Sequence, residues 1–143
     1  MLVRLLYASR AIEVIDPVLL ESVLAASVRN NAEHGITGIL CAYQNGHLFV
    51  QALEGARDEV NRLYNTIARD PRHVDVTLLH YEEITERSFS SWRMGRVDLN
   101  RVNIGTIMRY SAYHTLDPFS LSGETALALL LELATTTTVL RRN

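Results

Sequence analysis

The sequence contains no lysine. All 14 of its basic residues are arginine, which reads as lineage bias and not as chemistry. They stand against 16 acidic residues for a net charge of −2. No basic cluster forms, which argues against nucleic acid as the main partner. A single cysteine, Cys41, excludes an internal disulfide, and its apolar surroundings fit an inert core thiol better than a nucleophile. No apolar run reaches the length of a membrane span. The first residues enter a strand-like segment and not a signal peptide, so no membrane partner and a cytoplasmic location are expected. GxSxG and HExxH signatures are missing, and His34, His47, His73, His80 and His114 lack ligand spacing, so neither serine-hydrolase chemistry nor a metal site is expected. No glycine-rich loop accompanies Arg10 after the first strand, which weighs against a small acyl-phosphate hydrolase.

What is present is the material of one ordinary globular domain: 143 residues, 48% of them hydrophobic, enough for a real core. The chain is organised around His47–Gly55, reading HLFVQALEG. Turn residues bound it, Asn45-Gly46 before and Glu54-Gly55 after, so it reads as a strand. Its period-2 alternation puts Phe49, Gln51 and Leu53 on one face and Leu48, Val50 and Ala52 on the other. Both faces are apolar, which predicts a central strand covered on both sides. Gln51 is the exception, and a buried amide demands polar partners. Backbone, a neighbouring side chain or the polar edge of a ligand could each supply them.

Leu2–Tyr7 reads as a first strand. A helix follows from Asp16-Pro17 to about Asn31, with Asp16 as N-cap, Pro17 in the first turn, and Leu20, Val23, Leu24, Ser27 and Val28 on its inner face. Ile36–Tyr43 is the next strand, joined by an Asn45-Gly46 hairpin to the central one. Arg57–Arg69 is a second helix that presents Val60, Leu63, Tyr64 and Ile67 and stops at Asp70-Pro71. A strand within Val74–Ile84, a polar loop, and a short strand around Trp92–Val97 complete the order β-α-β-β-α-β-β. This is an α+β, ferredoxin-like plan: an antiparallel sheet with two helices on one face and the first and third strands at its centre. Beyond it, Asn103–Tyr110 suggests a short helix, and Ser122–Leu140 a longer one capped by Ser122. The longer helix is apolar over too wide an arc for a surface helix, and the Thr135–Thr138 run at its end has poor helix propensity. It is expected to cover the open face at Leu2, Leu6, Leu48 and Val50, or to meet another subunit. That open face carries no aromatic residue, unlike sheets that stack RNA bases.

This arrangement brings Tyr7 and Gln51 onto adjacent strands under the first helix, which carries Asn30 and Asn31, with Trp92 and Met94 at the sheet's flank. Singly, Tyr7 and Trp92 read as core aromatics and Asn30-Asn31 as a helix C-cap. Together they could hold the edge of a planar heterocycle by hydrogen bonds, with Leu24 and Ile67 as walls.

Several runs carry a more specific signal: Arg4–Ser9 (RLLYAS), Asn30-Asn31-Ala32 with Gly35–Gly38 (GITG), Phe49–Gly55 (FVQALEG), Asp70–His73 (DPRH), and Phe89–Met94 (FSSWRM). In this order and spacing over about residues 3–97, the sequence resembles the BLUF family, the blue-light sensors that use FAD. The resemblance implies FAD as cofactor, with FMN or riboflavin as possible substitutes. Tyr7 would give an electron and a proton to the excited flavin. Gln51 would relay the proton, then donate a new hydrogen bond to the flavin C4 carbonyl and shift its absorption to the red. Asn31 would fix the pyrimidine edge of the ring, with Asn30 at a variable neighbouring position. Ser27, Phe49 and Ile67 match pocket positions, Arg72 and His73 the ribityl-phosphate end, and Trp92 and Met94 the pair that exchanges near Gln51. Thr66 departs from the arginine or histidine often found there, which removes one cation from the flavin's polar side. The resemblance also implies a flavin-binding domain at 1–98 with a helical extension at 99–143, as in short stand-alone members. It implies a non-enzymatic sensor, a separate downstream signalling protein as partner, and a homo-oligomer formed through the C-terminal helices or the open sheet face. The alternative is a flavin-dependent redox enzyme on the same fold.

Overall fold

In the computed structural model, which describes residues 1–12, 17–43 and 47–135, the QALEG run lies at the middle of a five-stranded sheet. The elements are β1 (Leu2–Ala11), α1 (Pro17–His34), β2 (Thr37–Tyr43), β3 (Leu48–Ala56), α2 (Arg57–Ala68), β4 (His73–Ile84), β5 (Gly95–Asp98), α3 (Ile104–Met108) and α4 (Gly123–Ala134). Strand order is β4-β1-β3-β2-β5. β3 is buried from Leu48 through Gly55, as expected of a strand covered on both faces. Asp16, the Asn45-Gly46 turn, the side chains of Leu20 and Val23, and the expected helical stretch beyond Thr135 all lie outside the described residues.

The two faces of the sheet carry two cores. On one face, α1 and α2 cover Val3, Leu5, Tyr7, Phe49 and Leu53, with Leu24 and Val60 as their most buried contributors. On the other, Leu6, Ala8, Val50, Ala52 and Cys41 pack with Leu99, Ile107, Leu116, Ala126, Leu129, Leu130 and Leu133 of the C-terminal segment. Ala126, Leu129, Leu130 and Leu133 of α4 are buried in this core, and Leu127 and Leu131, at the edges of its apolar arc, are half-buried. Ser122 is its N-cap, accepting from the Thr125 N–H at 3.0 Å.

Four features differ from the expectation. The sheet is mixed, because β5 runs parallel to β2, Ile39 opposite Gly95 and Cys41 opposite Val97. β4 ends at one edge, the chain crosses along that end of the sheet, and it re-enters at the far edge in β2's direction. Trp92 and Met94 lie in this crossing loop and not on a strand; a turn from Phe89 to Trp92 (3.2 Å) breaks the extended run. α1 continues to His34, so Asn30 and Asn31 sit in its final turns and are not its cap. Gly35, at φ +66, ends it in the left-handed conformation that glycine adopts without strain. β1 extends past Tyr7 to Ala11, paired with β3 as far as Arg10 opposite Leu48.

Candidate functional site

Between α1, α2 and the sheet lies a cleft of about 920 Å³, including the solvent at its mouth. Its floor is Tyr7 and Ser9 of β1, Phe49 and Gln51 of β3, and Leu40 of β2. Leu24, Ser27, Asn30 and Asn31 of α1 form one wall, and Leu63 and Ile67 of α2 form the other. Asp70, Arg72 and His73 border the cleft where α2 passes into β4, and Met94 closes the inner end.

The floor is built by register. Tyr7 stands directly opposite Gln51 across β1 and β3, on the face that alternation assigns to the cleft. The Tyr7 hydroxyl donates to Gln51 Oε1. Gln51 Nε2 in turn donates to the Met94 thioether at 3.2 Å. The amide is thus held by one good acceptor bond and one weak one, since sulfur accepts poorly. Burial above all, and then the charge and dipole fields of Tyr64 and Asp70, push the Tyr7 phenol well above its ordinary ionisation range. It stays a neutral donor at any ordinary pH. The Tyr64 ring braces it, tilted by 54° with centroids 5.8 Å apart.

The rim is polar and internally paired. Asn31, itself buried, donates from Nδ2 to the Arg93 carbonyl at 2.7 Å and so ties α1 to the crossing loop. Arg72 grips Asp70 through Nε and Nη2 (3.0 and 2.5 Å), and the Asp70 carboxyl is lowered to about 2 by that bond. His73 Nε2 lies 2.6 Å from the Ile67 carbonyl, which fixes Nε2 as the protonated nitrogen. Burial alone raises the Cys41 thiol, on the opposite face, well above its ordinary range.

The cleft therefore joins Tyr7, Leu24, Ser27, Asn30, Asn31, Phe49, Gln51, Ile67, Arg72, His73 and Met94. Trp92 is not among them. Its ring belongs to the core on the other face, with Leu116, Ala126 and Leu129, and its Nε1 is buried without a partner among the described residues. Thr66 is exposed on α2 and bonds back to the Arg62 carbonyl at 3.1 Å, away from the cleft lining. Four lining residues escaped the sequence reading: Ser9, Leu40, Leu63 and Asp70. Of these, Ser9 follows from strand alternation, two residues beyond Tyr7 on the same face of β1, which runs on to Ala11. The Ser9 hydroxyl is buried and has no hydrogen-bond partner among the described residues. An orphaned hydroxyl beside a neutral phenol and an amide, between apolar walls and with a guanidinium at the mouth, suits a planar heteroaromatic ring with a polar edge and an anionic tail.

Comparison with known proteins agrees with this chemistry. The sequence model of the family described as sensors of blue-light using FAD matches residues 2–95. The photoactivated adenylate cyclase subunit beta of Euglena gracilis is 42% identical over 94 residues, which is 65% of this chain but 11% of that protein. The chain thus spans about a tenth of the length of that relative. The blue light- and temperature-regulated antirepressor BluF of Escherichia coli is 35% identical over 100 residues, 69% of this chain and 24% of that one. Among solved structures, the photo-activated state of BlsA superposes with a TM-score of 0.83 at 34% identity, over 96% of this chain and 98% of that one.

Proposed function

This chain belongs to the BLUF family of blue-light sensors that use FAD, and from that premise we propose that it is a photoreceptor that binds FAD in the cleft and signals by rearranging the Tyr7–Gln51 hydrogen bonds. The observation that carries the reading is the asymmetry at Gln51: a phenol on its oxygen and a thioether on its nitrogen. Bound there, the flavin supplies blue-light absorption and, when excited, a strong oxidising pull. Everything else falls to the protein. Tyr7 is the oxidisable phenol of the cleft floor and would give its proton to Gln51 Oε1. Once that proton has moved and returned, Gln51 is left rotated or as its imidic tautomer. Rotation exchanges Oε1 and Nε2, so it gives up the weak bond to Met94 and reverses the Tyr7 bond, with the phenol oxygen accepting; the tautomer instead makes Oε1 a donor. Either change presents a new donor toward the cleft, a local change on the order of 1 kcal/mol.

Asn31 and Asn30 would hold the ring's polar edge, Ser9 and Ser27 would supply hydroxyls, and Leu24, Phe49 and Ile67 would sandwich the ring. Arg72, released from Asp70, would meet the phosphate end, with His73 beside it. Trp92, beneath the sheet, would act on the C-terminal helices and not on Gln51. Residues 1–98 form the sensing unit in this reading, and 99–143 the helical segment through which the signal leaves. The readout is a separate signalling protein in the cytoplasm, and the chain itself is a non-enzymatic homo-oligomer. A shift of this size can switch an output only if it biases an element with two arrangements, and the crossing loop with α3 and α4 is that element.

The decisive experiment is the visible spectrum of the purified protein in the dark and under blue light. A flavin spectrum that moves slightly to the red and recovers in darkness is expected. A flavin that bleaches with NAD(P)H instead would make this a redox enzyme. A protein that cannot be loaded with FAD would overturn the assignment.

A further inference from the structure

The crossing loop, residues 85–94, has no helix or strand of its own, yet it is tied down at several points. The Trp92 carbonyl accepts from the Gly38 N–H at 3.2 Å, and the Arg93 carbonyl accepts from Asn31. At its start, the Ser88 and Phe89 N–H groups donate to the Glu54 carboxylate at 2.8 and 2.9 Å. Glu54 is fully buried, on the face of β3 away from the cleft. Arg4 adds two bonds from Nε and Nη2, at 3.0 and 2.9 Å, and Thr37 Oγ1 donates at 3.2 Å. Strand register makes this a row: Glu82 opposite Arg4, Arg4 opposite Glu54, Glu54 opposite Thr37, spanning four strands at the end of the sheet that the loop crosses. Arg87 closes the row with a 2.9 Å bond to Thr37 Oγ1.

A buried ion pair is a poor source of stability, because desolvation offsets most of the attraction; its better-attested use is to select one arrangement over others. Phe89, fully buried, would anchor the loop by burial alone. What the carboxylate adds is direction. It fixes two consecutive backbone amides shortly before the chain delivers Met94 to Gln51. We propose that Glu54 is a positioning residue for Met94: it sets where the sulfur stands, and through it the partner that the Gln51 amide keeps in the dark. No other charged group of the row reaches the loop backbone on both oxygens. The proposal rests on the photoreceptor reading for its consequence in light, but its geometric half can be read without light.

The test is a cycle of Glu54→Gln and Met94→Ala in the FAD-loaded protein, scored by the rate of dark recovery and by the 13C-methyl resonance of Met94 in the dark. Glu54→Gln is expected to keep flavin and red shift but to change the recovery rate by about tenfold, a coupling typical of groups in one network. In the Met94→Ala background the same change should move the rate less than about twofold. The Met94 methyl line should shift or broaden in Glu54→Gln. If Glu54→Gln does not fold, Thr37→Val, which removes a single donor to the carboxylate, should change the rate about two- to threefold in the same direction. Equal rate changes in both backgrounds, or an unmoved methyl line, would overturn the proposal. If the native protein shows no red shift, the photoreceptor reading fails, and the methyl line alone then decides whether Glu54 positions Met94.

Discussion

On one face of the sheet, Tyr7, Ser9, Phe49 and Gln51 border a cleft; on the other, Leu6, Ala8, Val50 and Ala52, their neighbours in the same two strands, are sealed under Leu129, Leu130 and Leu133. The backbone is shared, so the difference is entirely in what the alternating side chains meet. On the sealed face Glu54, in its buried row with Arg4 and Thr37, has every lone pair answered by a donor. On the cleft face the Ser9 hydroxyl has no partner among the described residues and Gln51 leans on a thioether. Tight packing stabilises and saturated polar groups fix one arrangement, whereas under-paired groups beside a void are where a ligand and a rearrangement can be accommodated. The comparison makes a testable claim: changes on the cleft face should alter light response and ligand affinity at little cost in stability, and changes among the apolar residues of the sealed face should do the reverse, with Glu54, which ties the crossing loop, as the exception.

The largest expected effect on the cleft side is all-or-none. Gln51→Leu should fold and bind flavin yet show no light-driven red shift in a dark-minus-light difference spectrum; a persisting shift would end the relay role. On the sealed side, Leu130→Ala removes a side chain that is 1% exposed. It should cost about 3 kcal/mol and lower the melting temperature by roughly 10 °C, read by calorimetry. The flavin absorption maximum should stay where it was. Ser9→Ala should invert that pattern at smaller scale. Flavin affinity, measured by fluorescence titration, should weaken about fivefold, in line with one lost hydrogen bond, while the flavin-free protein should melt no earlier than the native one.

The contrast also explains what could be read from the sequence. Strand alternation around Gln51 assigned both faces correctly, and the apolar arc of α4 announced the cover on the second one, because periodicity reports burial directly. The helical walls could be read for the same reason. Trp92 could not. Its apolar character says that it is buried, but not under which core, since that depends on a loop whose Ser88 and Phe89 N–H groups donate to Glu54, far away in sequence. Ser9 was hidden by a weak strand signal in Ala8–Ala11, which β3 and β4 override by pairing with it on both sides. The parallel β5 follows from where the loop crosses, and no local pattern encodes that.

The smallest effect sits at the cleft's mouth and tests whether its charges belong to the ligand or to the fold. The hydrogen bond from Arg72, foremost, and the attraction of its charge hold the Asp70 carboxyl at about 2, against an ordinary 3.8. A lowered carboxyl pKa stabilises the folded state above the unfolded value, and that stability is lost as pH falls through the folded one. Stability should therefore fall between about pH 4 and pH 2 on this account, and Asp70→Asn should flatten that part of a melting-temperature profile. Arg72 is 57% exposed, so solvent screening should keep the contribution below about 1 kcal/mol. The same substitution loosens Arg72 from its carboxylate and removes a negative charge from beside the cleft. If the guanidinium serves the phosphates of a bound ligand, Asp70→Asn should tighten FAD by roughly two- to fivefold, the scale of one exposed ion pair, and leave riboflavin, which has no phosphate, unchanged. Equal affinity changes for both would place Arg72 with the fold, as a clamp on the α2–β4 turn, and leave the cleft's polar work to the Tyr7–Gln51 floor alone.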